Sequence, residues 1–132
     1  EMMRRMILLT SLLLLMAALL AACGGGSSDE GPKAVEAYLQ ALVDEDSAKL
    51  STLSCKDWEE QAMMELDSFI GVDASLKDAA CKQTGADGDT ALVECTGSVQ
   101  ATYGNEQQEL PLGGRTYKVV KEGGESLVCG YQ

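Results

Sequence analysis

Seventeen consecutive residues near the amino end of this 132-residue chain, Met6 to Ala22, carry no charge, and only Thr10 and Ser11 are polar among them. Arg4 and Arg5 stand just before the run, and Leu12 to Met16 is its densest part. Seventeen residues lie at the bottom of the range that spans a bilayer as a helix. A short basic start followed by an apolar stretch is instead the pattern of a secretory signal. Residues 1–22 are therefore expected to be an export leader that takes no part in the fold.

The apolar run ends in Leu20-Ala21-Ala22-Cys23, with small residues at the two positions before the cysteine. That resembles the bacterial lipobox, which implies cleavage just before Cys23 and acylation of its thiol. Gly24-Gly25-Gly26-Ser27-Ser28 follows, a composition suited to a flexible tether and not to a spanning helix. Two acyl chains anchor stably, because each buried methylene contributes about 0.8 kcal/mol. The expected organisation is leader 1–22, lipidated tether 23–32 and a folded domain 33–132. Its expected place is the outer face of the cytoplasmic membrane, or the outer membrane of a Gram-negative cell, with the bilayer as partner through Cys23.

About a hundred residues form one domain that can bury roughly two thirds of its unfolded surface. The full chain has 10 basic and 21 acidic residues; without the leader 8 face 20, a net charge of −12. Such a surface repels nucleic acid and anionic lipid headgroups. Apart from Cys23 the cysteines are Cys55, Cys81, Cys95 and Cys129, an even number in an exported chain, which reads as two disulfides. There is no histidine and no Cys-x-x-Cys pair, so a zinc site would need four distant thiolates, and no metal is expected.

Val35, Tyr38, Leu39 and Leu42 recur at helical spacing, after Pro32 in the place of a first helical residue and before the acidic stop Asp44-Glu45-Asp46. Ser47 is expected to cap a short helix carrying Leu50 and Leu53. Asp57 with Glu60 is expected to cap a third, whose apolar face is Trp58, Ala62, Leu66, Phe69 and Ile70, ending at Gly71. The period then changes to two. Strands are predicted over 72–83, with Lys77-Asp78 as a bulge, then 90–103, 106–112, 115–122 and 126–131, separated by glycine-rich turns. Helices followed by hairpin-connected strands predict an α+β fold, N-terminal helices on a curved four-stranded antiparallel sheet.

This order, with "AVEAYLQALVDEDSAKL" opening the domain and "YKVVKEGGESLVCGY" closing it, resembles the nuclear-transport-factor-2-like superfamily (the SnoaL and ketosteroid-isomerase-like proteins), and more narrowly its small exported lipoproteins. A cystatin-like roll, one helix wrapped by a four-stranded sheet, is the nearest alternative. The resemblance implies a pocket between helices and sheet, to which Tyr38, Trp58 and Tyr103 are candidate contributors. In the superfamily's enzymes that pocket holds an acidic base and a tyrosine donor. No motif matches residue by residue, so no catalytic residue carries over.

In a hairpin around Gly85–Asp89, opposed residue numbers sum to about 174–176, which sets Cys81 against Cys95 and leaves Cys55 for Cys129. Four cysteines allow three pairings, and this one is the expectation. The absence of histidine removes the usual general base and the serine and cysteine triads. Neither a nucleophile elbow nor a phosphate-binding loop is present. No cofactor is expected. The reading is a non-catalytic lipoprotein that binds an unidentified protein or small ligand. The alternatives are a small-molecule isomerase, dehydratase or hydrolase, and an envelope-assembly protein. A pocket with tyrosine and a buried carboxylate would favour the enzyme; a filled interior with an exposed apolar patch would favour a protein partner.

Overall fold

A computed structural model describes residues 29–132. The leader, Cys23 and most of the tether lie outside the described residues. Helix α1 (Glu30–Val43) takes the expected stripe and buries it: Val35 and Tyr38 are fully enclosed, Leu39 and Leu42 nearly so. It starts inside the expected tether, with Gly31 and Pro32 already packed. Gly31 packs on the sheet, where an added β-carbon would meet Val93 and Ala91 at ordinary van der Waals distance. Pro32 is tolerated because first-turn amides have no helical acceptor.

The caps differ from expectation. Helix α2 (Ser47–Thr52) is capped by Asp46, whose carboxylate accepts from the Lys49 amide at 3.0 Å, so Ser47 is already helical. Helix α3 (Lys56–Asp67) has Cys55 at its N-cap, with no side-chain capping bond. Asp57 lies inside the first turn beside the positive end of the helix dipole. Ala62 and Leu66 are buried, whereas Ile70 and Met64 stand about 60% exposed.

The strands are β1 (Asp73–Asp87), β2 (Thr90–Tyr103), β3 (Glu106–Pro111), β4 (Thr116–Glu122) and β5 (Glu125–Tyr131). β1 continues past the predicted end at Gln83 to pair Asp87 with Thr90, which narrows the turn to Gly88-Asp89. All five predicted strand segments join one sheet, one more than the four-stranded sheet expected, because β2 is long enough to share one edge between two partners. β1 covers one edge of β2 throughout; on the other, β3 pairs residues 98–103 and β4 pairs 91–94. The order is β1-β2-β4-β5, antiparallel, with β3 beside the free half of β2. Helix α1 packs along the sheet and α3 against β5, while α2 packs on the other two helices; this three-helix layer differs from the single wrapped helix of a cystatin-like roll.

The curvature has a local cause. The β1–β2 register slips by one residue between Lys77 and Ala80, where Asp78 takes a positive φ of 51°. This is the bulge expected from the sequence. Opposite lies Gly97, with φ 94°; beyond it β3 breaks from β4 at Gly113-Gly114, held by the Leu112 amide on the Gly97 carbonyl at 3.0 Å. Three neighbouring chain segments thus bend along one line, which turns the sheet around the helices.

Cys81 and Cys95 are partners in the β1–β2 register, with Cα atoms 4.1 Å apart; Cys55 and Cys129 are 4.9 Å apart. Both are at disulfide distance, in the expected pairing. The second pair reinforces a short parallel contact, in which Cys55 donates to the Val128 carbonyl and Val128 to that of Leu53. This segment covers part of the otherwise bare edge of β5. At the opposite edge, Glu36 of α1 accepts from the Cys81 amide of β1 at 3.0 Å. No helix among the described residues is long and apolar enough to cross a membrane.

Candidate functional site

Four aromatic side chains from four elements converge between the helices and the sheet. Alternation along the strands points Tyr117 of β4 and Tyr131 of β5, which pair in the register, into the same space as Tyr38 of α1 and Trp58 of α3. The rings meet edge to face: Tyr38 and Tyr117 with centroids 6.4 Å apart, Tyr117 and Tyr131 at 5.5 Å, Trp58 and Tyr131 at 5.4 Å. Gly130 lies beneath the indole, where a β-carbon would stand 3.2 Å from the ring.

Glu65 of α3 meets this cluster. Trp58 Nε1 donates to the Tyr38 hydroxyl at 3.0 Å, and that hydroxyl donates to Glu65 Oε2 at 3.4 Å. The second carboxyl oxygen, Oε1, is buried and makes no hydrogen bond. Arg115, just before β4, lies over the Tyr131 ring with its guanidinium carbon 4.3 Å from the centroid.

Burial governs the phenols. It pushes the Tyr38 pKa far above its ordinary value; the Trp58 hydrogen bond works against this and the Glu65 charge adds to it. Tyr117 is raised by burial against the opposing pull of Arg115. Tyr131 is raised by burial and then by the Glu65 carboxylate. For Arg115, burial lowers the pKa, but its contacts with Tyr117 and Tyr131 and the Glu65 charge outweigh that, and the net shift is upward. All three phenols are therefore neutral near pH 7, able to donate hydrogen bonds but poor sources of phenolate.

Beside the cluster lies a cavity of about 140 Å³. Leu39, Leu42 and Val43 of α1 form one wall, Val99, Leu112 and Tyr117 another, and Glu65 and Arg115 supply its charged atoms. Of the three residues expected to contribute to a pocket, the structure joins Tyr38 and Trp58 directly, though both sit behind the cavity wall. Tyr103 stands apart at the end of β2, 42% exposed. Glu65, Arg115, Tyr117 and Tyr131 were not anticipated. One signal was available: Glu65 falls on the apolar face of α3, between Ala62 and Leu66, where a solvated glutamate has no reason to be. No group of three metal-ligating side chains gathers among the described residues.

No family model matches the chain. No curated protein is a detectable relative. Among solved structures the fold is similar to that of a designed protein, a five-substitution variant titled Rd1NTF2_05. The two share 14% identity at a TM-score of 0.48, over 76% of this chain and 92% of that one.

Proposed function

We propose that this chain is an exported, lipid-anchored binding protein of the nuclear-transport-factor-2-like type, which takes a small ligand into the cavity between α1, α3 and the sheet. The observation that carries the reading is the cavity itself: about 140 Å³, mostly apolar, with the carboxyl of Glu65 and the guanidinium of Arg115 in its wall. A few placed polar groups in an apolar recess are what small-molecule sites use to orient a ligand.

The entry of the chain agrees with anchoring through Cys23. Gly31, eight residues after that cysteine, packs against Ala91, Val93 and Val119, at the end of the sheet where the turns 87–90 and 122–125 lie. The cavity sits with the other half of α1, at Leu39, Leu42 and Val43. An anchored domain would hold this recess away from the bilayer. The acidic surface suits that placement, since it repels anionic headgroups.

A second reading, an isomerase, dehydratase or hydrolase, draws on one observation: Glu65 and Tyr117 share the cavity wall. Two features weigh against it. Tyr38, the phenol bonded to Glu65, has no exposed surface, and the chain has no histidine.

Native mass spectrometry of the protein released from membranes tests both. A bound small molecule lost on denaturation, and recovered unchanged after incubation with fresh protein, supports binding. Conversion of that molecule supports the enzyme, and a bare monomer with no retained ligand counts against the cavity.

A further inference from the structure

The charged groups of the cavity wall are already engaged within the protein. Glu65 accepts from Tyr38 and is approached by the Tyr131 hydroxyl; Arg115 hydrogen-bonds the Tyr117 side chain and covers the Tyr131 ring. What remains for a guest is hydrocarbon, at Leu42, Phe69, Val99 and Leu110. This apolar lining continues beyond the mouth. Leu110 lines the cavity yet is exposed, because it belongs to β3, whose residues are all exposed. It pairs with Val99, and farther along the same face of β2, past the buried Ala101, stands the exposed ring of Tyr103. On the other side the turn from Phe69 to Asp73 carries the exposed Ile70, and Asp73 pairs with Thr102. Four residues of strand make this path from Val99 to Tyr103 about 13 Å long. At its end Glu106 pairs with Tyr103 and shares its face. The ion pairs among the described residues are Lys77 with Glu109 and Lys121 with Glu30, so none neutralises Glu106.

From this arrangement we infer that the site takes a single-chain cationic amphiphile, its alkyl tail in the cavity and its ammonium head over Tyr103 beside Glu106. The interior selects the tail, because a polar group brought there would find no free partner. The length selects a chain over a compact ring. A cavity of about 140 Å³ is close to the roughly 150 Å³ of an engineered cavity that accepts benzene, so a ring fills it but leaves the path bare. An extended chain covers about 1.2 Å per bond, so a tail that runs from Tyr103 past Val99 has on the order of fourteen carbons. Charge selects the head. An exposed aromatic face beside a carboxylate attracts a cation, and the same carboxylate on a strongly acidic domain repels an anion.

This inference rests on the cavity-binding reading, and a four-probe titration separates the two. The full chain in phosphatidylcholine nanodiscs is titrated with tetradecyltrimethylammonium, tetradecyl maltoside, tetradecyl sulfate and hexyltrimethylammonium, all below their micelle concentrations. Free concentrations are corrected with empty discs. Occupancy is read from the methyl resonances of Leu42 and Val99 and from the Tyr103 ring. The long ammonium should move all three and bind about threefold or more tighter than the maltoside, with the sulfate weakest. It should bind at least about tenfold tighter than the hexyl probe, since each fully buried methylene strengthens binding about fourfold. Glu106→Gln, an exposed change, should bring the long ammonium down to the affinity of the maltoside. If the maltoside or the sulfate binds as tightly as the ammonium, or the hexyl probe matches the long one, the inference falls and the cavity reading stands. Movement of Tyr103 without Leu42 and Val99 would mean surface adsorption, and the inference is again wrong. If no probe moves Leu42 or Val99, both readings fall together.

Discussion

Gly97 packs so closely on Asp78 that a β-carbon at position 97 would stand 2.4 Å from the Asp78 carbonyl oxygen. The contact lies on the line where β1, β2 and the β3–β4 chain all bend, and it requires a positive φ at Gly97 as well as the missing side chain. Gly97→Ala is therefore expected to lower stability by about 2–4 kcal/mol, combining a backbone conformation alanine resists with a steric clash. A urea denaturation midpoint close to that of the wild type would show that the bend does not depend on this contact. Gly113→Ala is the control, since nothing lies within 4 Å of its added carbon and its φ is not positive.

Tyr38→Phe leaves the ring in place but strips Trp58 Nε1 of its acceptor and Glu65 of its donor. Each unmet buried group costs about 1–3 kcal/mol. The variant should unfold at lower denaturant, and the fluorescence of Trp58, the single tryptophan, should change in the folded state. An unchanged midpoint would mean that water replaces the hydroxyl at no cost.

Folding raises the pKa of Tyr38, Tyr117 and Tyr131, mainly through burial. The folded chain thus holds these protons more tightly than the unfolded chain, whose phenols titrate near about 10. Their contribution to stability is complete below that pH and is lost as pH rises towards the folded values. Alkaline unfolding should begin above about pH 10, with most tyrosinate absorbance appearing together with the loss of structure. A tyrosinate signal complete well before unfolding would contradict the buried cluster.

The two cysteine pairs close loops of different length, with sequence separations of 74 and 14 residues. On loop-closure entropy the longer contributes about 4 kcal/mol and the shorter about 3. Peptide mapping of the unreduced protein should recover Cys55 with Cys129 and Cys81 with Cys95, four hydrogens below the reduced mass. Replacing Cys55 and Cys129 together by alanine should destabilise more than the same change at Cys81 and Cys95. A Cys55–Cys81 peptide would refute the pairing.

Protein extracted from membranes should begin at Cys23 and carry the mass of a diacylglyceryl group. Cys23→Ser should remove the lipid and keep the leader attached. Cleavage at another position in both proteins would mean an ordinary signal peptide and a soluble product.

Much of this architecture can be read along the chain, because apolar periodicity is a property of consecutive residues. The stripe Val35, Tyr38, Leu39, Leu42 is buried as spaced; along β2 the alternating Val93, Cys95, Val99 and Ala101 are buried too, while Ala91 and Tyr103 on the same face are half-buried and exposed. The pairing of Cys81 with Cys95 follows from hairpin arithmetic across one turn. The helix starts were misplaced by a residue or two because capping is a competition between neighbours. At α2 the carboxylate of Asp46 reaches the Lys49 amide in preference to the hydroxyl of Ser47.

What the residues alone determined is local: helices before strands, a bulge at Lys77-Asp78 and four thiols beyond Cys23. What only the tertiary structure decided is whatever needs two distant segments at once. The fifth strand finds a place because β2 lends one edge to both β3 and β4, a fact of register between residues 91–103 and 106–119. Glu65 and Arg115 meet one cavity across fifty residues of chain, and Tyr131 joins them from the last strand. A single side chain in a sequence shows its charge and size. Whether that charge is solvated on a helix face or enclosed among phenols depends on which strands close over it, and that is set by the packing of the whole sheet.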